Sequence, residues 1–85
     1  MKIQTTKPFD EDYKNLPEAI KERADKQFVL LMENPLHPSL RIKKIKGLQN
    51  IWEGRVTKSY RFTFQISGEI YLFRRIGTHT ILKTP

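Results

Sequence analysis

The segment WEGRVTKSYRFTFQISGEIYLFRRIGTH, from Trp52 to His79, holds the pattern that decides the fold. Apolar and polar residues alternate along it, and a period of two is typical of β-strands with one buried face. The same segment places Arg61, Arg74 and Arg75 among the strands and His79 at its end. Because a charged side chain on a sheet face costs free energy unless it has a partner, the pattern predicts that these cations serve a purpose beyond folding.

The chain before this segment predicts a short extended start at residues 2–6 and two helices. The first helix carries Phe9 and Tyr13 at helical spacing, and the second opens at Pro17 and ends before Pro35. The second helix has one apolar stripe, which we expect to be core rather than a binding groove. The stripe consists of Ile20, Ala24, Phe28, Leu31 and Met32.

Beyond a proline-containing connector, basic and apolar residues interleave up to Gly47, and three further strands are predicted. These strands span about Ile51 to Thr57, Tyr60 to Ile66 and Glu69 to Ile76. Helices followed by an antiparallel meander predict an α+β fold, with N-terminal helices packed on one face of a small, mainly antiparallel twisted sheet. The other face of the sheet is expected to be open.

The last two strands form a predicted hairpin. With Ser67 and Gly68 as its two loop residues, Arg61 falls opposite Arg74, and a one-residue change in the loop would substitute Arg75. The aromatic residues of both strands then share the face under the helices, so the arginines project from the open face. Two neighbouring guanidinium groups repel unless an anion lies between them, which favours a phosphate ligand.

Charge is distributed unevenly along the chain. Met1 to Leu40 contains six Lys and Arg against seven Asp and Glu, a net charge of −1, whereas Arg41 to Pro85 contains ten against two, a net charge of +8. Such a basic half attracts polyanions, so it predicts nucleic acid or a strongly acidic protein as a partner. A solvated basic surface that keeps the protein soluble is the structural alternative.

Length and composition exclude several classes of function. Eighty-five residues can bury one modest core, which leaves no room for a deep cofactor cavity. The chain has no cysteine, and His37 and His79 lie too far apart in sequence to form a typical zinc motif. No apolar run approaches a membrane span and the N-terminus lacks a signal-peptide core, so we expect a cytoplasmic protein without a cofactor.

The residues of the last strands match the needs of metal-free RNA cleavage. Attack by a neighbouring 2′-hydroxyl requires a base, an acid, and cations that stabilise the charge on the phosphorane-like transition state. An imidazole such as His79 can act as the acid or the base, and the planar fork of arginine matches phosphate geometry. Glu53 is a further candidate base, although it can equally be an ion-pair partner of Arg55 or Arg61.

Five stretches of the chain together resemble the RelE/ParE superfamily of bacterial toxins from toxin–antitoxin pairs. They are LPEAIKERADK on a helix, NPLHPSLRIKKIKG, IWEGRV, SYRFTF and the final IGTH. The resemblance covers nearly the whole chain and implies one RelE-like domain over residues 1–85. It also implies a ribosome-dependent mRNA endonuclease, or mRNA interferase, that inhibits translation and is neutralised by an acidic antitoxin protein.

The resemblance assigns roles to individual residues. The arginine after the strand-opening tyrosine, here Arg61, holds the scissile phosphate, and His79 takes part in proton transfer. An arginine four residues before that histidine is also functional, which points to Arg75 and competes with Arg74 from the register argument.

Lysines of the basic stretch that follows the connector are similar to ribosomal-RNA contacts in the same family. The predicted RNA- and ribosome-binding set comprises Lys43, Lys44, Lys46, Arg55 and Arg74, and no metal is implied.

One departure from the family pattern leaves alternatives open. Many relatives carry an aromatic residue four positions beyond the final catalytic one, where this chain has Lys83, and no helix is expected after the last strand. Either Trp52 or Tyr60 substitutes, or activity is weakened. The alternatives are therefore a ParE-like DNA gyrase inhibitor and a catalytically weak homologue that only binds its antitoxin.

Overall fold

A five-stranded sheet forms the centre of the protein, and the computed structural model describes residues 1–85 of it. The order of the strands across the sheet is β1-β5-β4-β3-β2, and only the pairing of β1 with β5 is parallel. The predicted α+β fold with a mainly antiparallel sheet is therefore confirmed. The elements are β1 (Lys2–Thr5), α1 (Lys7–Lys14), α2 (Glu18–Glu33), β2 (Lys43–Lys44), β3 (Trp52–Arg55), β4 (Tyr60–Ser67) and β5 (Ile70–Thr78), with 3-10 turns at Pro38–Leu40 and His79–Lys83.

Local chemistry sets the bounds of both helices. The Thr6 hydroxyl caps α1 by accepting a hydrogen bond from the Phe9 N–H at 3.2 Å, and Pro8 occupies the first turn, where its missing N–H costs nothing. Helix α2 follows Pro17 and ends at Glu33, before the Asn34–Pro35 pair, as predicted. Neither helix has the length and apolar character needed to cross a membrane.

The core lies between the helices and one face of the sheet. Phe62 and Phe64 of β4 and Phe73 of β5 are buried there with Phe9 of α1, and the ring centroids of Phe28 and Phe73 are 4.6 Å apart. The predicted aromatic face is confirmed. The six-carbon ring of Phe62 also lies over Gly54 of β3, where a side chain would collide with it.

One member of the predicted apolar stripe of α2 is not in the core. Ala24 and Leu31 are fully buried, but Met32 is 39% exposed. The stripe continues from Phe28 to Leu31, three residues on, and Met32 lies one position further around the helix, on the flank that faces solvent.

The predicted register of the hairpin is wrong. Ser67 pairs with Ile70, so the loop consists of Gly68 and Glu69 rather than Ser67 and Gly68. Gly68 has φ 58, and this left-handed conformation at the first loop position is the one that hairpin turns with a leading glycine require.

A β-bulge adds a second displacement along the same hairpin. Phe64 pairs with Phe73 but Thr63 pairs with Arg75, so Arg74 is the extra residue on β5. Arg61 consequently lies opposite Gly77, and neither Arg74 nor Arg75 is its cross-strand partner.

The second face of the sheet is also less open than expected. The 3-10 turn after β5 folds back over it, and Ile81 is buried there with its side chain at Gly77. Thr63 on the same face is fully buried. The expectation that nothing helical follows the last strand is corrected by this short turn, which covers the middle of the face.

Candidate functional site

Three strand ends meet at the accessible end of the second face. Strand β3 ends at Arg55, which pairs with Arg61 near the start of β4, and Arg61 pairs in turn with Gly77 near the end of β5. His79 directly follows β5. The fold therefore brings Arg55, Arg61 and His79, which are distributed over 25 positions of the chain, to one end of the sheet.

A cavity of about 410 Å³ opens beside these strand ends, and we call it the basic cleft. Three arginines and a lysine line it against a single carboxylate, so its net charge is positive and it suits an anionic ligand. Its lining residues are Arg41, Ile42, Lys43, Glu53, Arg55 and Arg61.

Arg61 uses only part of its guanidinium for the fold. Its Nη1 donates to the carbonyl oxygens of Thr57 at 2.7 Å, Lys58 at 2.9 Å and Tyr60 at 3.2 Å, which fixes the side chain on the turn between β3 and β4. Its Nε and Nη2 donate no hydrogen bond within the protein, so these two nitrogens remain for a ligand.

Arg55 is the most electrostatically crowded cation of the basic cleft. Partial burial, followed by the charges of Arg41 and Arg61, lowers the pKa of the Arg55 guanidinium below its ordinary value. The Arg55 Nε is buried without a hydrogen-bond partner. Meanwhile Gln27 of α2 donates to the Arg55 carbonyl oxygen at 2.9 Å, which anchors the strand end on the helix. An anion bound in the cleft would relieve the repulsion between the guanidinium groups.

Arg41 was missed as a site residue by the sequence analysis. It follows the 3-10 turn Pro38–Leu40 and has φ 45 and ψ 45, a left-handed conformation that costs a residue with a side chain about 1–2 kcal/mol. The buried Leu40 anchors the preceding turn, so Arg41 is held at the mouth of the basic cleft. In the sequence, Arg41 stands out only as the first residue of the basic stretch that follows the connector.

Glu53 and Lys43 form an ion pair on the floor of the basic cleft. Lys43 Nζ lies 3.1 Å from Glu53 Oε1, the Lys43 side chain is 73% exposed and that of Glu53 only 7%. Glu53 Oε2 is buried with no hydrogen-bond partner. The carboxylate formally balances the positive charge of Lys43, and its second oxygen is shielded from solvent.

A second cavity, of about 380 Å³, adjoins the basic cleft through Lys43 and Glu53. Lys44 and Lys46 line it together with Leu82 of the C-terminal turn. The predicted lysines therefore lie beside the cleft and extend its positive surface along the edge strand β2.

The structure does not bring Arg74 or Arg75 into the basic cleft. Arg75 Nε donates to Asp12 Oδ2 at 2.7 Å and its Nη2 donates to Asp12 Oδ1 at 3.2 Å, and this hydrogen-bonded pair raises the pKa of Arg75. Arg74 Nη1 donates to Gln65 at 2.8 Å. Both arginines line a separate cavity beside Thr84, where protein groups already occupy most of their donors.

His79 is exposed at the start of the C-terminal turn. Its imidazole makes no hydrogen bond within the protein, so the structure offers both ring nitrogens to a ligand. The hydroxyls of Thr78 and Thr80 are 2.9 Å apart beside it.

No aromatic side chain lines the basic cleft. Trp52 pairs with Phe64 and packs against the main core, with its indole N–H buried and unpartnered, and Tyr60 packs against the same core. Both aromatic residues lie on the helix side of the sheet, and Lys83 is exposed. Tyr60 therefore does not lie where it could replace the missing aromatic residue, and Trp52 lines a neighbouring cavity that shares Arg41 and Ile42 with the basic cleft.

Known proteins with this architecture are found by structure rather than by sequence. No protein-family model matches the sequence, and no curated protein matches it either. The RelE toxin of a RelB–RelE antitoxin–toxin complex from Methanococcus jannaschii superposes with a TM-score of 0.76 at 27% identity, over 94% of each chain. YafQ from E. coli superposes with a TM-score of 0.78 at 19% identity, again over 94% of each chain. The YoeB/ParE toxin from Agrobacterium tumefaciens gives 0.79 at 20% identity, over 93% of this chain and 99% of the other.

The protein is thus a small basic α+β protein with a cationic cleft at one end of its sheet. Its fold is that of the RelE/ParE toxins, and the resemblance predicted from the sequence is confirmed. RelE from Methanococcus jannaschii and YafQ from E. coli have both been crystallised in complexes with antitoxins.

Proposed function

We propose that the protein is the toxin of a toxin–antitoxin pair and inhibits translation by cutting mRNA on the ribosome without a metal ion. The observation that carries this proposal is the basic cleft, in which Arg61 keeps its Nε and Nη2 free and Arg55 keeps its Nη1 and Nη2 free. His79 does not line this cleft, but it follows the end of β5, which pairs with β4 at Arg61. Cations with free donors beside an unbonded imidazole meet the needs of phosphodiester cleavage by a 2′-hydroxyl.

In the proposed reaction the 2′-oxygen attacks the adjacent phosphorus and the 5′-oxygen leaves. A base takes the 2′-hydroxyl proton, and an acid gives a proton to the departing oxygen, which yields a 2′,3′-cyclic phosphate and a 5′-hydroxyl end. His79 serves as one of these two groups, and Glu53, the one carboxylate that lines the basic cleft, is the candidate for the other. Arg61 stabilises the added negative charge of the phosphorane-like transition state through its free Nε and Nη2.

The Asp12 ion pair favours a positioning role for Arg75 instead of the predicted phosphate contact. Asp12 Oδ2 also accepts a hydrogen bond from the Ile76 N–H at 3.2 Å, so the pair fixes the exposed edge of β5 against α1. Because His79 directly follows β5, the ion pair between Asp12 and Arg75 also sets the position of His79. Arg74, bonded to Gln65, has no separate role in the reaction as proposed here.

The partners follow from charge. We propose that Lys44 and Lys46 contact ribosomal RNA, because they extend the positive surface beyond the basic cleft. We also propose an acidic antitoxin protein that neutralises the toxin by covering this surface.

The proposal is tested by inducing the protein alone and then with a small acidic protein encoded by an adjacent reading frame. Growth arrest that the second protein reverses supports a toxin, and cuts at codon-spaced positions in translated mRNA identify the nuclease. Normal growth at confirmed soluble expression would contradict any toxin function.

A second candidate is a toxin without nuclease activity, such as a DNA gyrase inhibitor or a homologue that only binds its antitoxin. The observations in its favour are that Arg75 is bonded to Asp12 and that no aromatic side chain lines the cleft. Growth arrest with intact mRNA and inhibited supercoiling would favour gyrase inhibition, whereas an antitoxin complex without growth arrest would favour the binding homologue.

A further inference from the structure

The basic cleft carries more positive charge than one phosphate can balance. Lys43 is paired with Glu53 at 3.1 Å, so three uncompensated guanidinium groups remain, those of Arg41, Arg55 and Arg61. An internal RNA phosphodiester carries a single negative charge. One scissile phosphate at Arg61 would therefore leave the other two guanidinium groups without a counter-charge in a partly enclosed space.

Arg41 approaches the cleft from outside the sheet. It directly follows the 3-10 turn Pro38–Leu40, whereas Arg55 and Arg61 lie on the strand pair β3–β4. All three arginines line the cavity of about 410 Å³. Burial lowers the pKa of Arg55, and the charges of Arg41 and Arg61 lower it further, so all three guanidinium groups interact. The Nε of Arg55 is buried, but its Nη1 and Nη2 donate no hydrogen bond within the protein and remain for a ligand in the cleft.

We propose that Arg41 and Arg55 form a second phosphate subsite, which binds the RNA phosphate next to the scissile phosphate held by Arg61. This inference rests on the proposed function and assigns a substrate-positioning role to Arg41. Two consecutive phosphates of one strand supply counter-charges along the row of guanidinium groups. Fixing both phosphates also restrains the nucleotide between them, which aligns its 2′-hydroxyl for attack.

The conformation of Arg41 makes a clean test possible. Glycine adopts φ 45 without penalty, and asparagine tolerates it better than most residues, so Arg41→Gly and Arg41→Asn remove the charge without straining the backbone. We expect the melting temperature of Arg41→Gly to equal or exceed that of the parent protein. Arg23→Ala, on the exposed face of α2, removes the same charge away from the cleft and serves as the matched control.

The experiment measures binding of the purified protein to a single-stranded RNA tetranucleotide whose 2′-hydroxyls are methylated to prevent cleavage. Fluorescence anisotropy at several salt concentrations gives the slope of log affinity against log salt. Loss of one phosphate contact lowers this slope by about 0.7 for single strands. We expect that loss for Arg41→Gly and Arg41→Asn, retention of the slope for Arg41→Lys, and an unchanged slope for Arg23→Ala.

The outcomes separate this inference from the proposed function. If the parent protein fails to cut mRNA but Arg41→Gly still lowers the slope, the nuclease proposal fails and the phosphate subsite stands. If the parent protein cuts mRNA and a folded Arg41→Gly binds the tetranucleotide with unchanged affinity and slope, the subsite is overturned. An Arg41→Gly protein that loses affinity for an acidic peptide but not for RNA would also overturn it.

Discussion

Arg55 and Arg61 lie directly opposite each other on adjacent antiparallel strands, with both side chains on the face away from the helices. Directly opposed Cβ atoms in such a pair are about 5 Å apart, and like charges there are destabilising. Glu53, the nearest acid on the same strand, is already paired with Lys43. The repulsion between Arg55 and Arg61 therefore lowers the stability of the free protein, and an anion in the basic cleft reverses this effect.

This relationship predicts that anions stabilise the protein and that Arg55 mediates the effect. Pyrophosphate should raise the melting temperature in a concentration-dependent manner, as expected for a ligand that binds only the folded state. Arg55→Met keeps the apolar stem but removes the charge, so we expect a higher melting temperature at low salt and a smaller shift with pyrophosphate. Lys58→Met, on the exposed turn, is the control and should retain the full shift. An undiminished shift in Arg55→Met would exclude Arg55 as an anion ligand.

Arg61→Ala should slow cleavage of ribosome-bound mRNA by roughly a hundredfold or more, equivalent to about 2 to 4 kcal/mol of transition-state stabilisation. It should also reduce stability by about 1 kcal/mol, because Nη1 no longer ties the turn carbonyls together. Arg61→Lys should recover only part of the rate, since a point charge lacks the guanidinium fork. Single-turnover cleavage and urea unfolding measure the two effects separately. A parental cleavage rate in Arg61→Ala would remove this residue from the site.

Asp12→Asn should reduce the free energy of unfolding by about 1.5 to 3 kcal/mol, because the carboxylate accepts hydrogen bonds from both the Arg75 guanidinium and the Ile76 N–H. Asp10→Asn, on the exposed side of the same helix, should change it much less. We expect Arg75→Ala to lower stability similarly, with a modest loss of cleavage rate where the variant is folded. A fully stable but inactive Arg75→Ala protein would restore the direct phosphate role predicted from the sequence.

The residues that share a face of the sheet were predicted more accurately from the sequence than the residues that pair across strands. Between the loop and the bulge the true register, with Ser67 opposite Ile70, is shifted from the predicted one by an even number of positions, which leaves those side chains on their predicted faces. Beyond the bulge the total shift is odd, and Ile76 lies in the core opposite Phe62. The aromatic core was therefore predictable although the partner of Arg61 was not. The bulge at Arg74 coincides with a break in the alternating pattern, because two consecutive polar residues, Arg74 and Arg75, separate the buried Phe73 from the buried Ile76.

Two features of the site depend on long-range structure and could not be read from local spacing. Asp12 and Arg75 are 63 residues apart, and only the packing of α1 beside β5 makes them partners. Arg41 reaches the basic cleft because a left-handed residue ends the turn after Pro38, a conformation that an arginine gives no reason to expect. By contrast, the start of β4 at Tyr60 was predicted correctly, whereas β5 runs to Thr78, two residues beyond the predicted end at Ile76.

Alkaline pH should weaken the protein through Tyr13. Its hydroxyl donates a hydrogen bond to Asp25 at 2.8 Å, and this bond, with burial and the nearby acidic charges, raises the pKa of Tyr13 from 10.0 to about 12. The folded state thus favours the neutral phenol, so its contribution is complete below about pH 10 and is lost as the pH rises toward 12. Urea unfolding from about pH 9 to about pH 12 should show this decline beyond that of Tyr13→Phe. Identical pH profiles for the two proteins would contradict the assignment.

His79→Ala should nearly abolish single-turnover cleavage on ribosomes, because the imidazole is the exposed titratable group at the strand ends. Ribosome affinity should stay within a small factor, since the lysines of β2 and Lys46 remain in place. His79→Gln keeps hydrogen bonding without titration and should be almost as inactive as alanine. A Gln variant with a near-parental rate would mean that His79 only positions the substrate.

Lys83→Tyr, made in the parent protein and in His79→Ala, then tests whether the absence of an aromatic residue from the cleft limits the rate. Lys83 ends the same short turn that His79 begins, so an aromatic ring there could reach the nucleotide held at the strand ends. We expect Lys83→Tyr to raise the rate in the parent background and to leave the His79→Ala protein inactive. That combination would identify the missing ring as a loss of efficiency, because proton transfer would still depend on His79. If none of these proteins cuts mRNA, the nuclease proposal fails and the candidates without nuclease activity remain.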